Sequence, residues 1–420
     1  MRAPSGGGWM GLTAKFAVEM GRLLGPEFPK TLGLAVSGGG DSMAMLHLAG
    51  PWARVMGISL RVITVDHGLR ADSAGEAEIV SQEAALLGLP HHTARWTGWD
   101  RSGNLQNEAR SARHALIGVW RGEIEHVLFA HTQDDQAETV LMRLARGSGV
   151  EGLSGMAPVQ AMPEGWAILR PLLGSTRAEL HHFAQVLKIP YVDDPSNDDP
   201  RFDRVKARQA LDALEPLGLT REGLVRTANA MAGARKALGR RAAQVAGKVS
   251  RFEHGHLVFD RDGLASVETD TQRRIMAAAL QWTGHDPYRP RFDSLSRMLD
   301  EAQAGKSGTL HGCQIVVGKS AIHVVREYEA VRQSVASEGP WDDVWHLKAE
   351  TPGDYTLRAL GPEGLKQIDR PPGVPAAALY SLPAVWNQET VVSVPGLKPG
   401  KVRLIRQPEG AEFINSLILR

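Results

Sequence analysis

A doubly wound α/β domain, with a parallel sheet covered by helices on both faces, is predicted for about the first 200 residues of this 420-residue chain. Three observations predict it. Short, continuously apolar, β-branched runs occur at LGLAV (32–36), LRVITV (60–65) and HVLFA (126–130). Such runs fit strands buried on both faces of a parallel sheet. Helical-period stretches separate them, near 42–55, 74–88, 104–121 and 134–146. Polar loops follow each strand, at 37–42, 66–70 and 131–135. In a right-handed parallel sheet those loops converge on one rim, beyond the carboxyl ends of the strands, where ligands bind.

The chain changes character after the acidic, proline-flanked turn Asp193 to Pro200. Residues 203–249 read as helices rich in arginine. Region 255–327 carries a strand (HLVFD), a helix near 270–283 and strands near 309–325. A polar connector near 333–343 leads to a last segment with short strands and many Gly and Pro. Three domains are therefore expected: 1–205, 206–332 with helical and mixed character, and a small β-containing domain at 340–420.

Bulk properties remove several function classes. Net charge is +1, so a nucleic-acid partner must be met by local patches. Residues 201–250 are one such patch, with eleven Lys and Arg against four Asp and Glu. A solvated helix face would look the same in composition. The single cysteine, Cys313, excludes a disulfide within the chain and any cysteine-built zinc or iron–sulfur site. A buried structural thiol is its default role. The N-terminal stretch MRAPSGGGWMGLTAKF lacks the apolar core of a signal peptide. No apolar run approaches the roughly 18 residues of a membrane span. The expectation is a cytoplasmic protein with no membrane partner.

The first chemical motif is Ser37-Gly38-Gly39-Gly40-Asp41-Ser42, between a strand and the helix MAMLHLAG. Glycines let backbone amides approach an anion and adopt positive φ. The helix N-terminus adds free amides and partial positive charge. Asp41 repels phosphate unless Mg²⁺ lies between them, which makes it the first candidate metal ligand. The loop is neither a Walker A sequence nor GxGxxG. Taken alone, SGGG is equally a tight strand-to-helix turn.

Two further stretches share the predicted rim. Asp66-His67-Gly68-Leu69-Arg70 follows the second strand. His131-Thr-Gln-Asp134-Asp135-Gln136-Ala-Glu138 follows the third and runs on to Arg146-Gly147-Ser148-Gly149. On a helix beginning near Asp134, Asp134 and Glu138 stand at i,i+4 on one face. One acid there is simple capping. Three acids after a strand-end histidine suit Mg²⁺ or a cationic amine, with Asp135 as a second candidate metal ligand. Between these stretches lie Asn104 and Glu108, an i,i+4 pair, and Arg110 and Arg113, an i,i+3 pair suited to phosphate charge. Arg146 and the glycines after it can form a second anion-binding turn. Surface salt bridging is the plain alternative for each arginine.

SGGGDS resembles the loop of the PP-loop ATP pyrophosphatase superfamily, whose members cleave ATP to AMP and pyrophosphate. The run HxxDDQxETxLMRLxRGSGxxGL narrows the resemblance to the tRNA(Ile)-lysidine synthase family. Arg170-Pro171-Leu172-Leu173, Arg177 and Asp194-Pro195-Ser196-Asn197 match it too, so residues 30–210 are densely covered. The resemblance implies ATP and Mg²⁺ as cofactors, free L-lysine as substrate, and an isoleucine tRNA with a CAU anticodon as partner. It implies adenylation of the C2 oxygen of cytidine 34, then displacement of AMP by the lysine ε-amine. Decoding then changes from AUG to AUA, and charging from methionine to isoleucine. Nucleotide would be held by Ser37 to Ser42, Asp66, His67, Arg146 and Gly147. Asp41, Arg110, Arg113, His131, Asp134, Asp135 and Glu138 would carry the chemistry, with the metal and lysine roles undivided among the acids and the histidine. A homodimer stays open.

Residues 201–208, RFDRVKAR, keep Arg204 and Arg208 of a family pattern, with Val205 in place of its asparagine. The C-terminal segment 356–396 resembles the family only weakly, through Gly364-Leu365-Lys366, Pro375, Leu382-Pro383 and Trp386. An arginine common there is absent from its AAALYS run. Trp341, Trp345 and Trp386 are expected in the core. A small-molecule synthetase on the same ATP-binding fold and a non-catalytic RNA-binding protein are the competing readings. The basic middle region and the HTQDDQAET run disfavour the first, and intact Asp41 and Ser42 the second.

Overall fold

The computed structural model describes residues 8–68, 73–97, 105–162, 165–193, 199, 201–286, 288–349, 354–400, 402–407 and 411–419. Of the residues named in the motifs, Leu69, Arg70, Asn104, Asp194, Pro195, Ser196, Asn197 and Pro200 lie outside this set. The chain forms two compact units, Met1–Ala234 and Arg235–Arg420.

The first unit begins with α1 (Gly8–Leu24), whose Leu12, Phe16, Met20 and Leu24 recur at i+4 and are buried along one stripe. Alternating elements follow: β1 (Thr31–Ala35), α2 (Gly40–Met56), β2 (Ser59–Asp66), α3 (Ser73–Leu86), β3 (His91–Arg95), α4 (Leu105–Trp120), β4 (His126–Phe129) and α5 (Gln133–Ala145). Then come α6 (Val150–Leu153), β5 (Val159–Ala161), β6 (Ala167–Leu169), α7 (Arg177–Val186), α8 (Asp203–Leu214) and α9 (Arg221–Val249), which continues into the second unit.

The sheet order is β3-β2-β1-β4-β6-β5, parallel except for the antiparallel edge strand β5. One face packs against α1, α2, α3 and α7 through residues such as Phe16, Met45, Val80 and Phe183. The other packs against α4, through Ile117 and Trp120 beside Ile63, Val127 and Ile168. That is the doubly wound arrangement the apolar runs predict. The sequence of β3, HHTAR, gives no apolar signal because β3 is an edge strand with only one buried side chain. Sequence order reverses between β1 and β4, so the loops after these neighbouring strands flank the crevice at which such sheets bind ligands.

The second unit contains β7 (Ser250–Glu253), β8 (His256–Asp260), α10 (Arg261–Ala265), α11 (Thr269–Gly284), α12 (Phe292–Gln303), β9 (Gly308–Leu310), β10 (Cys313–Val317) and β11 (Ala321–Arg326). It ends with α13 (Tyr328–Val331), β12 (Val335–Ala336), β13 (Trp345–Ala349), β14 (Thr356–Ala359), α14 (Gly361–Leu365), β15 (Pro383–Asn387), β16 (Thr390–Ser393), β17 (Val402–Arg406) and α15 (Ala411–Leu419). The antiparallel sheet β7-β8-β11-β10-β9 packs against α11, α12 and α15. A second sheet, β12-β14-β15-β16, and the pair β13-β17 form the C-terminal part. Trp341, Trp345 and Trp386 are buried there, and Cys313 is fully buried. Among the described residues no helix is long and apolar enough to cross a membrane.

Candidate active site

The phosphate loop turns from β1 into α2. Gly38 has φ 90°, a conformation that disfavours a side chain. A Cβ on Gly40 would meet His181 Nε2 at 2.7 Å, so glycine is also a packing requirement there. Ser42 closes the loop from inside. Its Oγ donates to the Gly39 carbonyl at 2.9 Å and accepts from the Ser37 amide at 3.1 Å. The Ser37 and Ser42 hydroxyls lie 3.2 Å apart. Gly39 caps α2 without any side-chain bond, which leaves the first amides of the helix to an anion.

The loop after β2 has a different build. Asp66 is buried; its Oδ1 accepts from the Gly68 amide at 2.8 Å and its Oδ2 from Arg95 at 3.3 Å. It therefore shapes the turn that carries His67. The His67 ring stands edge-on to Trp96, and Arg113 reaches its Nε2 at 3.3 Å. Burial first, then the Arg113 charge, pushes the His67 pKa down to about 4. The ring is neutral at pH 7.

The loop after β4 supplies His131 and the start of α5. Burial lowers the His131 pKa to about 3, with Arg170 adding to the effect. Arg170, itself buried, donates from Nε to His131 Nδ1 at 3.2 Å, and its other nitrogens hold the Ala157 carbonyl and Gln160. His131 is thus a fixed neutral ring stacked on Phe129. Its Nε2 carries the ring proton, because Nδ1 is the acceptor. Arg110 stands on α4 close enough for its charge to act on both His131 and Arg170.

Thr132 starts α5 with a capping box. Its hydroxyl accepts from the Asp135 amide, and Asp135 Oδ2 accepts from the Thr132 amide at 2.8 Å and hydroxyl at 2.9 Å. The capping box affects which acids reach the Arg177 guanidinium. Sequence spacing pairs Asp134 with Glu138. In the structure Asp134 turns to the first turn of α7, accepting from the Arg177 amide at 2.8 Å, and pairs with Arg221 at 3.4 Å. Asp135 and Glu138, at i,i+3, are the two that meet Asp41.

What joins them is Arg177. Its Nε is 3.2 Å from Asp41 Oδ2, and its terminal nitrogens are 3.3 Å from Asp135 Oδ1 and 3.7 Å from Glu138 Oε1. Arg204 and Arg208 reach in from α8, at 3.6 Å from Asp135 Oδ1 and 3.0 Å from Glu138 Oε1. They share a helix face at i,i+4 and meet acids spaced i,i+3 on α5. The two helices are brought together by Ala137, Val140 and Leu211 in one buried cluster. Val205 is buried in the same helix, so the departure from the family pattern falls between the two ion pairs.

Electrostatics separates the acids. Burial pushes the Asp41 carboxyl up to about 6, against the pull of Arg177 and with a push from Asp135. Burial also opposes charge on Asp135, but Arg177 and Arg204 overcome it and hold this carboxyl below its ordinary range. Both Asp135 oxygens are occupied. Asp41 Oδ1 and Glu138 Oε2 are buried without a hydrogen-bond partner. Buried oxygens of this kind suit a cation or an N–H donor.

The structure thus gathers Ser37 to Ser42, Asp135 and Glu138 at one place, with Asp134 directly behind. It places His131, Arg110, His67 and Arg113 on the same rim. Arg146 and Gly147 follow the far end of α5, roughly 16 Å along the helix from Asp135. There Arg146 is exposed and lies 3.8 Å from Asp203. Arg177, Arg204 and Arg208, which match the family pattern in sequence without a site role, complete the cluster together with His181, whose Nε2 is 3.8 Å from Asp41 Oδ1. A signal for Arg177 existed: Thr176 and Glu179 form a capping box that places Arg177 first on its helix.

The chain matches the model of the PP-loop domain family ATP_bind_3 over residues 12–214. It is 42% identical to the tRNA(Ile)-lysidine synthase of Ruegeria pomeroyi over 397 residues, 93% of this chain and 94% of that one. It is 38% identical to the tRNA(Ile)-lysidine synthase of Rhodopseudomonas palustris over 64% of this chain and 80% of that one. Among solved structures, a U34-tRNA thiolase from Methanococcus maripaludis with its [4Fe-4S] cluster is similar over 53% of this chain and 79% of that one, at 18% identity and a TM-score of 0.45. With 42% identity spread over nearly the whole of both chains and the PP-loop domain matched in the N-terminal half, the chain belongs to the tRNA(Ile)-lysidine synthase family of PP-loop enzymes.

Proposed function

We propose that this enzyme joins lysine to C2 of cytidine 34 in the CAU anticodon of an isoleucine tRNA, using ATP. The observation that carries the proposal is the meeting of Asp41, on the phosphate loop, with Asp135 and Glu138 around Arg177. Nucleotide and acceptor-amine chemistry are thereby held side by side. In the first step the cytidine O2 attacks the α-phosphorus of ATP and pyrophosphate leaves. In the second the lysine ε-ammonium gives a proton to solvent, the resulting amine attacks C2 to form the C–N bond, and the C2–O2 bond breaks so that AMP leaves with the former O2. Positioning and charge stabilisation supply most of the catalysis in such transfers.

The phosphate loop amides, Ser37 and Ser42 bind the pyrophosphate portion. Asp66 and His67 border the nucleotide from the neighbouring loop, and Arg110 and Arg113 bring positive charge from α4. Among the described residues no three His, Cys, Asp or Glu side chains are grouped to hold a metal by themselves. Mg²⁺ commonly takes one or two carboxylates together with phosphates. The open Oδ1 of Asp41 fits that use. Bound Mg²⁺ would neutralise charge on the phosphates. Asp135, proposed as a second ligand from sequence, has no open oxygen and instead organises the site. Glu138 Oε2 is the open acceptor for the lysine ammonium.

The arginine-rich helical and mixed region 206–332 is assigned to tRNA binding. Arg226, Lys236, Arg240 and Lys248 are exposed on α9, as phosphate contacts require. The work of such an enzyme places it in the cytoplasm.

The test supplies ATP, Mg²⁺, labelled lysine and either of two tRNAs with CAU anticodons. Label entering only the isoleucine tRNA, with AMP released in equal amount, is expected. AMP made with a small acid and no label in RNA would replace this reading with a small-molecule synthetase.

A further inference from the structure

Arg177 is anchored twice. Its amide is held by Asp134, and its guanidinium spans Asp41, Asp135 and Glu138, which come from two separate elements. With Arg204 and Arg208, three guanidinium groups face three carboxylates. Among the described residues these six charges balance before any ligand arrives, with His181 Nε2 standing a further 3.8 Å from Asp41 Oδ1. Three carboxylates without counter-charge would gather a cation on their own. A balanced cluster gains little from one, since the added charge meets the guanidinium groups. A polyphosphate at the α2 N-terminus brings the negative charge that makes a cation welcome. The two open oxygens, Asp41 Oδ1 and Glu138 Oε2, belong to acids that Arg177 bridges.

We infer that Arg177 is a positioning residue that ties the phosphate-loop carboxylate to the acids of α5 and makes metal binding at Asp41 depend on bound nucleotide. The inference rests on the ATP reading above. It implies an order of assembly: nucleotide first or together with the metal, and a metal-poor site in its absence.

The test measures Mn²⁺ alone, by the loss of its free electron-paramagnetic signal, on full-length protein without nucleotide. Arg177→Met is expected to bind Mn²⁺ at least about ten-fold more tightly than wild type, a typical size for coupling between sites. Arg177→Lys, which returns the charge, is expected near wild type. Mn²⁺ should strengthen the affinity for a non-cleavable α,β-methylene ATP analogue more in wild type than in Arg177→Met. Equal nucleotide-free Mn²⁺ affinities in wild type and Arg177→Met would overturn the inference. So would Arg177→Lys binding Mn²⁺ as tightly as Arg177→Met. If Arg177→Met loses its circular dichroism, Arg177→Gln carries the same expectation. AMP formation by wild type separates the two claims. AMP with no Mn²⁺ gain in the variant removes the coupling and leaves the ATP reading. No AMP despite that gain removes the ATP reading and the nucleotide dependence together.

Discussion

Two acid–arginine clusters, one in each unit, are built in opposite ways. In the second unit Asp342 receives Arg326 in bidentate fashion, at 2.9 to 3.1 Å, and His285 stands 3.5 Å away. Arg326 also holds the Gly284 and Gly312 carbonyls. Every partner is committed. In the first unit Arg177 shares itself among three acids at 3.2 to 3.7 Å, and two buried carboxylate oxygens stay open. Tight two-point pairing fixes a structure. Looser sharing over several acids leaves a site able to exchange partners. Their proton affinities diverge as well. Asp41 is pushed up to about 6 by burial, whereas Arg326 and His285 overcome the burial of Asp342 and hold it below the ordinary carboxylate range.

This contrast can be broken by experiment. The largest effect is expected from Asp41→Asn, which keeps the shape and removes the charge. AMP formation should fall about 100- to 1,000-fold, the scale of losing a central electrostatic group. Circular dichroism should be unchanged, and retained activity would remove Asp41 from the metal role. Asp342→Asn should do the reverse. Breaking a largely buried pair costs about 3 kcal/mol, which urea unfolding of the second unit would register, while ATP cleavage at the first unit's site persists.

The two acids should also give opposite pH dependences. Asp41 has a folded pKa above its unfolded value, so the folded state holds the extra proton between pH 3.8 and about 6. Its ionisation therefore lowers stability as pH rises through that window, by on the order of 2 kcal/mol. Asp342 contributes stability that is present above the ordinary carboxylate range and lost as pH falls through its lowered pKa. Carbon-13 carboxyl titration by NMR would separate them, and equal midpoints would erase the distinction. The smallest effect is expected at Arg240, exposed on α9. Arg240→Ala should weaken tRNA binding about three-fold at moderate salt and reduce the salt slope by about one, with no change in lysine or ATP affinity.

Much of the first unit was legible because its signals are local. Apolar runs such as HVLFA mark buried strands, and the glycine run after LGLAV marks a turn that needs positive φ at Gly38. The burial of Cys313 and of the tryptophans followed from their chemistry. The polar edge strand β3 carried no such signal. On α5 the spacing did not show that Asp135, folded back by the Thr132 capping box, joins Glu138 at the Arg177 guanidinium while Asp134 takes the Arg177 amide.

By itself the sequence determined that strand, phosphate loop and helix occur in that order, that Asp41 stands at the helix start, and that acids follow a strand-end histidine. Periodicity and conformational preference act over a few residues, and these features need no more. Only the tertiary structure decided which oxygens are open and which are taken. Arg177 comes to Asp41 from 136 residues away and to Asp135 from 42, and Arg208 reaches Glu138 across 70. No local pattern records those distances in the chain. They are set by the packing of α7 and α8 against α2 and α5, through apolar side chains that say nothing of charge.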